Sequence, residues 1–158
     1  MHILMCNDDG ILADGLRHLA SYLSQYYRIT VVAPANEQSA KSHALTTEVP
    51  LKLDAYNGED ENPRLYALTG TPSDCMKFGL SYLLTDDMPD LVISGINHGF
   101  NLGSDVLYSG TVSAAMESCF YGIPGLALSV ERYSVERGDE MHPFIHELIE
   151  KIYVAGQF

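Results

Sequence analysis

"HILMCNDDGILADGLRHLASYLSQYYRITVVAP", residues 2–34, reads as strand, helix, strand. "HILMC" (2–6) is an apolar run with the look of a buried strand, and "RITVVAP" (28–34) is a second one, stopped by Pro34. Between them Leu16, Leu19, Ala20 and Leu23 fall at i, i+3, i+4 and i+7, one face of a helix. Strands that are apolar throughout and alternate with helices predict a parallel sheet covered on both sides.

The rest of the chain continues the alternation. "NEQSAKSHALTTEVP" (36–50) is polar and aperiodic, a loop. "LKLDAY" (51–56) and "RLYALTG" (64–70) read as two short strands of a hairpin whose tip carries Glu59, Asp60 and Glu61 in solvent. "TPSD" (71–74) starts a helix with Thr71 as N-cap, Pro72 at N1 and Asp74 at N3, continued by Met76, Gly79, Leu80 and Leu83. "PDLVISGI" (89–96) and "PGLALSV" (124–130) are further strands, with the Gly-rich loop "HGFNLGSDVLYSG" (98–110) after the first. Val112, Ala115, Met116 and Cys119 predict the buried face of one more helix, with Glu117 exposed on it. Ile145, Leu148, Ile149 and Ile152 predict the last helix. The expected fold is α/β, a Rossmann-like three-layer sandwich on a mostly parallel sheet, and residues 1–158 form a single domain.

Composition narrows the partners. With 158 residues, the chain is long enough for one substantial core. A formal net charge of −12 argues against a nucleic-acid polymer, which calls for clustered Lys and Arg. No apolar run reaches the length of a membrane span, about 20 residues, and no basic-then-apolar leader opens the chain, so a cytoplasmic protein is expected. Cys6, Cys75 and Cys119 share no ligand spacing and read as reduced core thiols. His18, His142 and His146 read as solvated or packing residues, whereas His43 and His98 lie in loops that could touch a ligand.

In parallel α/β sheets, ligands gather outside the carboxyl ends of the strands. Asp8 and Asp9 follow the first strand, Asn36 and Ser39 the second, and Asn97 the strand "DLVISGI"; Ser109, Gly110 and Thr111 begin a helix. Parallel strands open all four segments onto one edge. "NDDG" reads equally well as a polar turn. The doubled carboxylate tips the balance, since two anions held together at a strand end are costly unless a cation compensates them. Carboxylate, amide and hydroxyl oxygens suit Mg²⁺ or Mn²⁺ better than Zn²⁺. At "YSGTV" the N-terminus of a helix offers free N–H groups to a phosphate, although Ser109 also reads as a plain N-cap. A carboxylate-held cation facing such a helix end points to phosphoester hydrolysis.

"NDDG", "VVAP" followed by Ser39, "GTPSDC", "PDLVISGINHGFNLGSDVLYSGTVSAAME" and "GLALS", in order from residue 1 to about 130, together resemble SurE, the survival-protein-E family of 5′/3′-nucleotidases. The resemblance implies a metal-dependent phosphatase acting on nucleoside monophosphates, in some members also on polyphosphate. It carries the metal ligands of the family onto Asp8, Asp9, Ser39 and Asn97, one divalent cation per subunit, and the surrounding site residues onto Asn101, Ser109, Gly110 and Thr111. Ala40 stands where the family usually has Gly, an exchange expected to stiffen the loop at Ser39; Asp14 replaces a frequent Pro and Ser118 a frequent Gly. Family members are longer and end in an arm that helps to assemble dimers or tetramers. The present chain stops shortly after its last helix, so it is expected to lack that arm, and a homodimer or homotetramer is expected of a full-length chain.

The expected mechanism has Asp8 and Asp9 as the catalytic carboxylates. They anchor the cation with Ser39 and Asn97, and Asp8 also orients or deprotonates the attacking water. Three alternatives stand beside it. Asp8 could be a nucleophile forming an aspartyl-phosphate. The chain could be a nucleotide- and metal-binding module without turnover. It could also be a receiver-type phospho-acceptor domain, which would need an Asp at the end of a later strand and a Lys at the end of the last; "DLVISGIN" and "LALSVERY" supply neither.

Overall fold

The structure is a computed structural model and describes residues 1–154, so the last four residues of the expected 1–158 domain lie outside the described residues. In chain order the strands are β1 (His2–Cys6), β2 (Arg28–Pro34), β3 (Leu53–Ala55), β4 (Arg64–Leu68), β5 (Leu91–His98) and β6 (Gly125–Val130). The helices are α1 (Asp14–Leu23), α2 (Pro72–Phe78), α3 (Gly110–Cys119) and α4 (Val135–Val154). They build one six-stranded sheet of order β3-β4-β2-β1-β5-β6, parallel throughout except for the antiparallel β3–β4 edge. The α/β expectation and the 51–70 hairpin are therefore met, with strands shorter than the sequence suggested.

Alternation along β1 feeds two cores. Ile3 and Met5 face α1 and α4, together with Leu16, Leu19, Leu23, Ile145 and Ile149. Leu4 and Cys6 face the other layer, with Cys75, Met76, Leu80 and Ala114. Each fully buried Leu, Ile or Met among these contributes about 1.5–3 kcal/mol relative to exposure, which is why a strand buried on both sides carries no polar alternation. Thr71 caps α2 as its pattern predicts: the Thr71 hydroxyl accepts from the Asp74 N–H (3.1 Å), and Asp74 accepts from the Thr71 N–H (2.9 Å).

Helix α3 departs from expectation. Ala115 is buried as expected, but Met116 and Cys119 are exposed, and the rest of the buried face is Gly110, Thr111, Ser113, Ala114, Glu117 and Ser118. Small side chains let this helix lie close to its neighbours: a Cβ on Gly125 of β6 would come 2.2 Å from the Ala115 carbonyl oxygen. Apolar periodicity misses such a face because its residues are chosen for size rather than hydrophobicity. Cys6 and Cys75 are core thiols, but Cys119 is exposed.

Candidate active site

The chain runs from β1 to β2 on one side and later returns to β5 on the other, so the sheet order reverses beside β1. Clefts at such reversals, outside the carboxyl ends of the strands, are where α/β sheets bind ligands. Asp8 and Asp9 leave β1 there, and Asn97 stands in the last turn of extended chain of β5, which runs past the predicted end to His98.

"NDDG" is a turn, but Asn7 makes it. Its side chain donates to the Gly10 carbonyl (3.0 Å) and accepts from the Gly10 N–H (3.2 Å), while Gly10 takes φ +102, which suits a residue without Cβ. Neither carboxylate is needed for the turn. Asp8, 5% exposed, accepts a 2.6 Å hydrogen bond on Oδ1 from the Thr111 hydroxyl at the start of α3. Asp9 reaches across to β5, where Oδ2 accepts from the His98 N–H at 3.3 Å. Burial, and then the Asp8 charge, push the Asp9 carboxyl above the usual carboxylate range, against the opposing pull of the His98 N–H.

A cavity of about 330 Å³ opens over this edge, lined by Asp8, Ser39, Asn97, Asn101 and Ser109 among others. Five of the expected site residues are thus brought together. Asp9 joins them through His98, which also lines the cavity, while Gly110 and Thr111 lie behind Asp8. Gly110 is required by close approach: a Cβ there would lie 2.8 Å from the Asp8 Cβ and 3.0 Å from Pro72 Cγ. The Ser109 hydroxyl accepts from the Val112 N–H (3.2 Å) and caps α3, so the N-cap reading holds and the first turn is fixed against the cavity. Asn97 donates its amide nitrogen to the Gly99 carbonyl (2.8 Å), and Asn101 donates to the Ser129 hydroxyl (2.7 Å). The exposed Ser39 donates to Glu37 (2.7 Å) on a loop whose next residue, Ala40, takes φ +58, the left-handed region that Gly enters freely.

The donor set fits a hard divalent cation. Among the described residues neither Asp8 nor Asp9 forms an ion pair with Lys, Arg or His, so two neighbouring carboxylates stand without positive charge. No group of three or more His, Cys, Asp or Glu among the described residues could hold a metal ion, so the two carboxylates would need neutral oxygens to complete a ligand set. What remains is oxygen chemistry: two carboxylates with the hydroxyl of Ser39 and the amide oxygen of Asn97.

Sequence reading missed the residues that hold the Ser39 loop in place. Glu117 is not exposed but 4% accessible, and His43 Nε2 lies 2.6 Å from its carboxylate, with Lys77 Nζ 3.7 Å away. Thr46 donates its hydroxyl (2.6 Å) and N–H (3.0 Å) to Asp74, and the Gln38 N–H donates to the Asp8 carbonyl (2.7 Å). The one available signal was the position of Glu117 on the small-residue stripe Gly110, Ser113, Ala114.

Fold and site together define an α/β sandwich with an acidic cavity at the point where its parallel sheet reverses order. The family model for survival protein SurE matches residues 3–157. A protein named 5′-nucleotidase SurE from a Thermoanaerobacter species is 49% identical over 99% of this chain, and one from Caldanaerobacter subterraneus is 48% identical over 98%. A crystal structure of SurE protein from Aquifex aeolicus superposes with a TM-score of 0.84 at 38% identity, covering 96% of this chain and 60% of that one. The chain belongs to the SurE family. It spans 61% and 60% of the length of the two curated relatives it matches here.

Proposed function

We propose that this chain carries the catalytic domain of a divalent-cation-dependent phosphomonoesterase that releases phosphate from nucleoside 5′- and 3′-monophosphates. The observation that carries the reading is the pair of adjacent carboxylates, free of turn duty and, among the described residues, of ion pairs, set against the first turn of α3. The curated relatives bear the name 5′-nucleotidase SurE, which supports the same reading. Asp8, Asp9, Ser39 and Asn97 would hold one Mg²⁺ or Mn²⁺ per subunit. When bound, such an ion polarises a phosphate oxygen and lowers the pKa of a water.

The residues of the chain do the rest. Thr111 holds one oxygen of Asp8, which fixes the plane of the carboxylate and leaves its other oxygen to orient the attacking water. Ser109, Asn101 and the N–H groups of the first turn of α3 receive the phosphate and its developing charge. Gly110 keeps that turn close to Asp8. A homodimer or homotetramer, if a full-length chain is present, and a place in the cytoplasm belong to the same reading. No helix among the described residues is long and apolar enough to cross a membrane.

The test is phosphate release from a panel of nucleoside monophosphates and polyphosphate, after chelation and then with Mg²⁺ or Mn²⁺ restored. Activity that returns with the cation supports the proposal. Binding of cation and nucleotide without release would instead identify a binding module.

A further inference from the structure

Two largely exposed aromatic rings stand at the mouth of the acidic cavity. Phe100 and Tyr108 line it together with Asp8 and Ser109, yet they are 54% and 63% exposed. Hydrogen bonds hold the chain at each of them. The Gly99 N–H donates to the Val130 carbonyl (2.7 Å) and Asn101 donates to the Ser129 hydroxyl (2.7 Å), one residue before and one after Phe100. The Tyr108 N–H donates to the Asp105 carbonyl (3.0 Å), and its own carbonyl accepts from the Ser42 N–H (3.0 Å). These rings therefore sit on anchored chain, directed to the cavity rather than folded back into either core.

A cavity of about 330 Å³ exceeds what a cation and a phosphate fill and falls at the low end of small-molecule sites, about 300–1,000 Å³. The surplus room is bordered by the two rings and by Asp105, whose carboxylate disfavours a second anionic group. The chemistry complementary to that rim is flat, aromatic and uncharged. We propose that Phe100 and Tyr108 form a stacking platform for the base of a nucleoside monophosphate, so that ring contact sets the leaving-group preference. This rests on the phosphomonoesterase reading above. Stacking tolerates every base because every base has a π-face, so the platform selects nucleotides over sugar phosphates and purines modestly over pyrimidines.

The experiment compares adenosine monophosphate with ribose 5-phosphate, in wild type and in the F100A/Y108A double variant, with Mn²⁺ present. Wild type is expected to favour the nucleotide in kcat/KM by about tenfold or more, about 1.4 kcal/mol per tenfold. The double variant is expected to collapse that ratio through KM for the nucleotide, and F100W/Y108F to keep it. Calorimetric titration with adenosine supplies a readout that needs no turnover, and the double variant should bind it about tenfold more weakly. If that variant does not fold, Phe100→Leu removes one ring while keeping apolar bulk. Equal wild-type kcat/KM on both substrates overturns the platform and leaves the phosphatase reading standing. Adenosine binding that depends on the rings, without phosphate release from either substrate, does the reverse. A change in oligomeric mass with equal KM increases on both substrates would assign the rings to a subunit contact and overturn the platform.

Discussion

Replacing His43 by Ala tests how the Ser39 loop is fastened. Glu117 keeps a carboxylate at 4% exposure because the His43 Nε2–H donates to it at 2.6 Å; Lys77, 3.7 Å away and half in solvent, adds little. An ionised carboxylate only accepts, so the imidazole nitrogen facing it must carry the proton. Removing that donor strands a buried charge. Breaking one side of a fully buried pair costs about 3–5 kcal/mol, and the partial exposure of His43 reduces this to about 2–3 kcal/mol. For a domain of this size each kcal/mol moves Tm by about 2–4 °C, so the melting point should fall by about 4–12 °C.

The converse change is milder. Glu117→Gln keeps the volume and an acceptor for His43 while removing the charge, and should cost about 1 kcal/mol. In the H43A/E117Q double variant much of the His43→Ala loss should disappear, because no charge is left buried. Melting curves of the four proteins in chelator form the cycle. Asp74 still holds Thr46, so the loop should loosen locally, and trypsin cleavage after the exposed Lys41 should quicken in His43→Ala. A Tm within 1 °C of wild type for His43→Ala, or a larger loss for Glu117→Gln, would refute the argument.

Asp8→Asn should lower phosphate release at least about a hundredfold at saturating Mn²⁺ while circular dichroism stays unchanged, as expected when a group acting in the transition state is lost. Asp9→Asn should stabilise the cation-free protein: burial and Asp8 raise its carboxyl, so the unfolded chain releases that proton first and folded stability falls as pH rises through the usual carboxylate range. Its Tm gain in chelator should therefore grow as pH rises through and above the usual carboxylate range, and divalent cation should stabilise wild type more than the variant. Gly110→Ala forces a Cβ to 2.8 Å from the Asp8 Cβ and should cost about 1–3 kcal/mol in urea denaturation, with loss of turnover. Ala40→Gly relieves a left-handed alanine at an entropic cost of similar size, so the denaturation midpoint should stay or rise slightly; a loss above about 1 kcal/mol would contradict the strain argument.

Sheet and layers were legible because hydrophobic burial writes itself locally: β1 and α1 carry their periods on their own residues. Asp8, Ser39, Asn97 and Ser109 were legible for a different reason. Each lies at or after the carboxyl end of a strand or at the start of a helix, and a parallel sheet sends all such ends to one edge. Glu117 was not legible, since nothing within a few residues of it shows that His43, 74 positions earlier, will fold over it. The second role of Asp74 was hidden likewise. Its capping box with Thr71 is local and was read, but its grip on Thr46 spans 28 residues. The buried face of α3 misled because close packing there selects small residues.

Asn7 gives the acidic pair its meaning. Had Asp8 or Asp9 supplied the turn's hydrogen bonds, one negative charge would have been spread over backbone N–H groups and the pair would be structural. Asn7 makes both bonds to Gly10 instead, at 3.0 and 3.2 Å, with a neutral side chain. Asp8 is then held in place by Thr111, and Asp9 by the His98 N–H, so the two charges are kept close although nothing in the turn requires them. Burial makes that arrangement unfavourable for Asp9, as its raised carboxyl shows. A fold that provides a neutral residue for the turn and still retains two repelling carboxylates at the order reversal of its sheet gives up stability at one place. On the proposed reading an oxygen-seeking cation would return what the arrangement loses without one, and the metal-linked stability of Asp9→Asn against wild type measures that exchange directly.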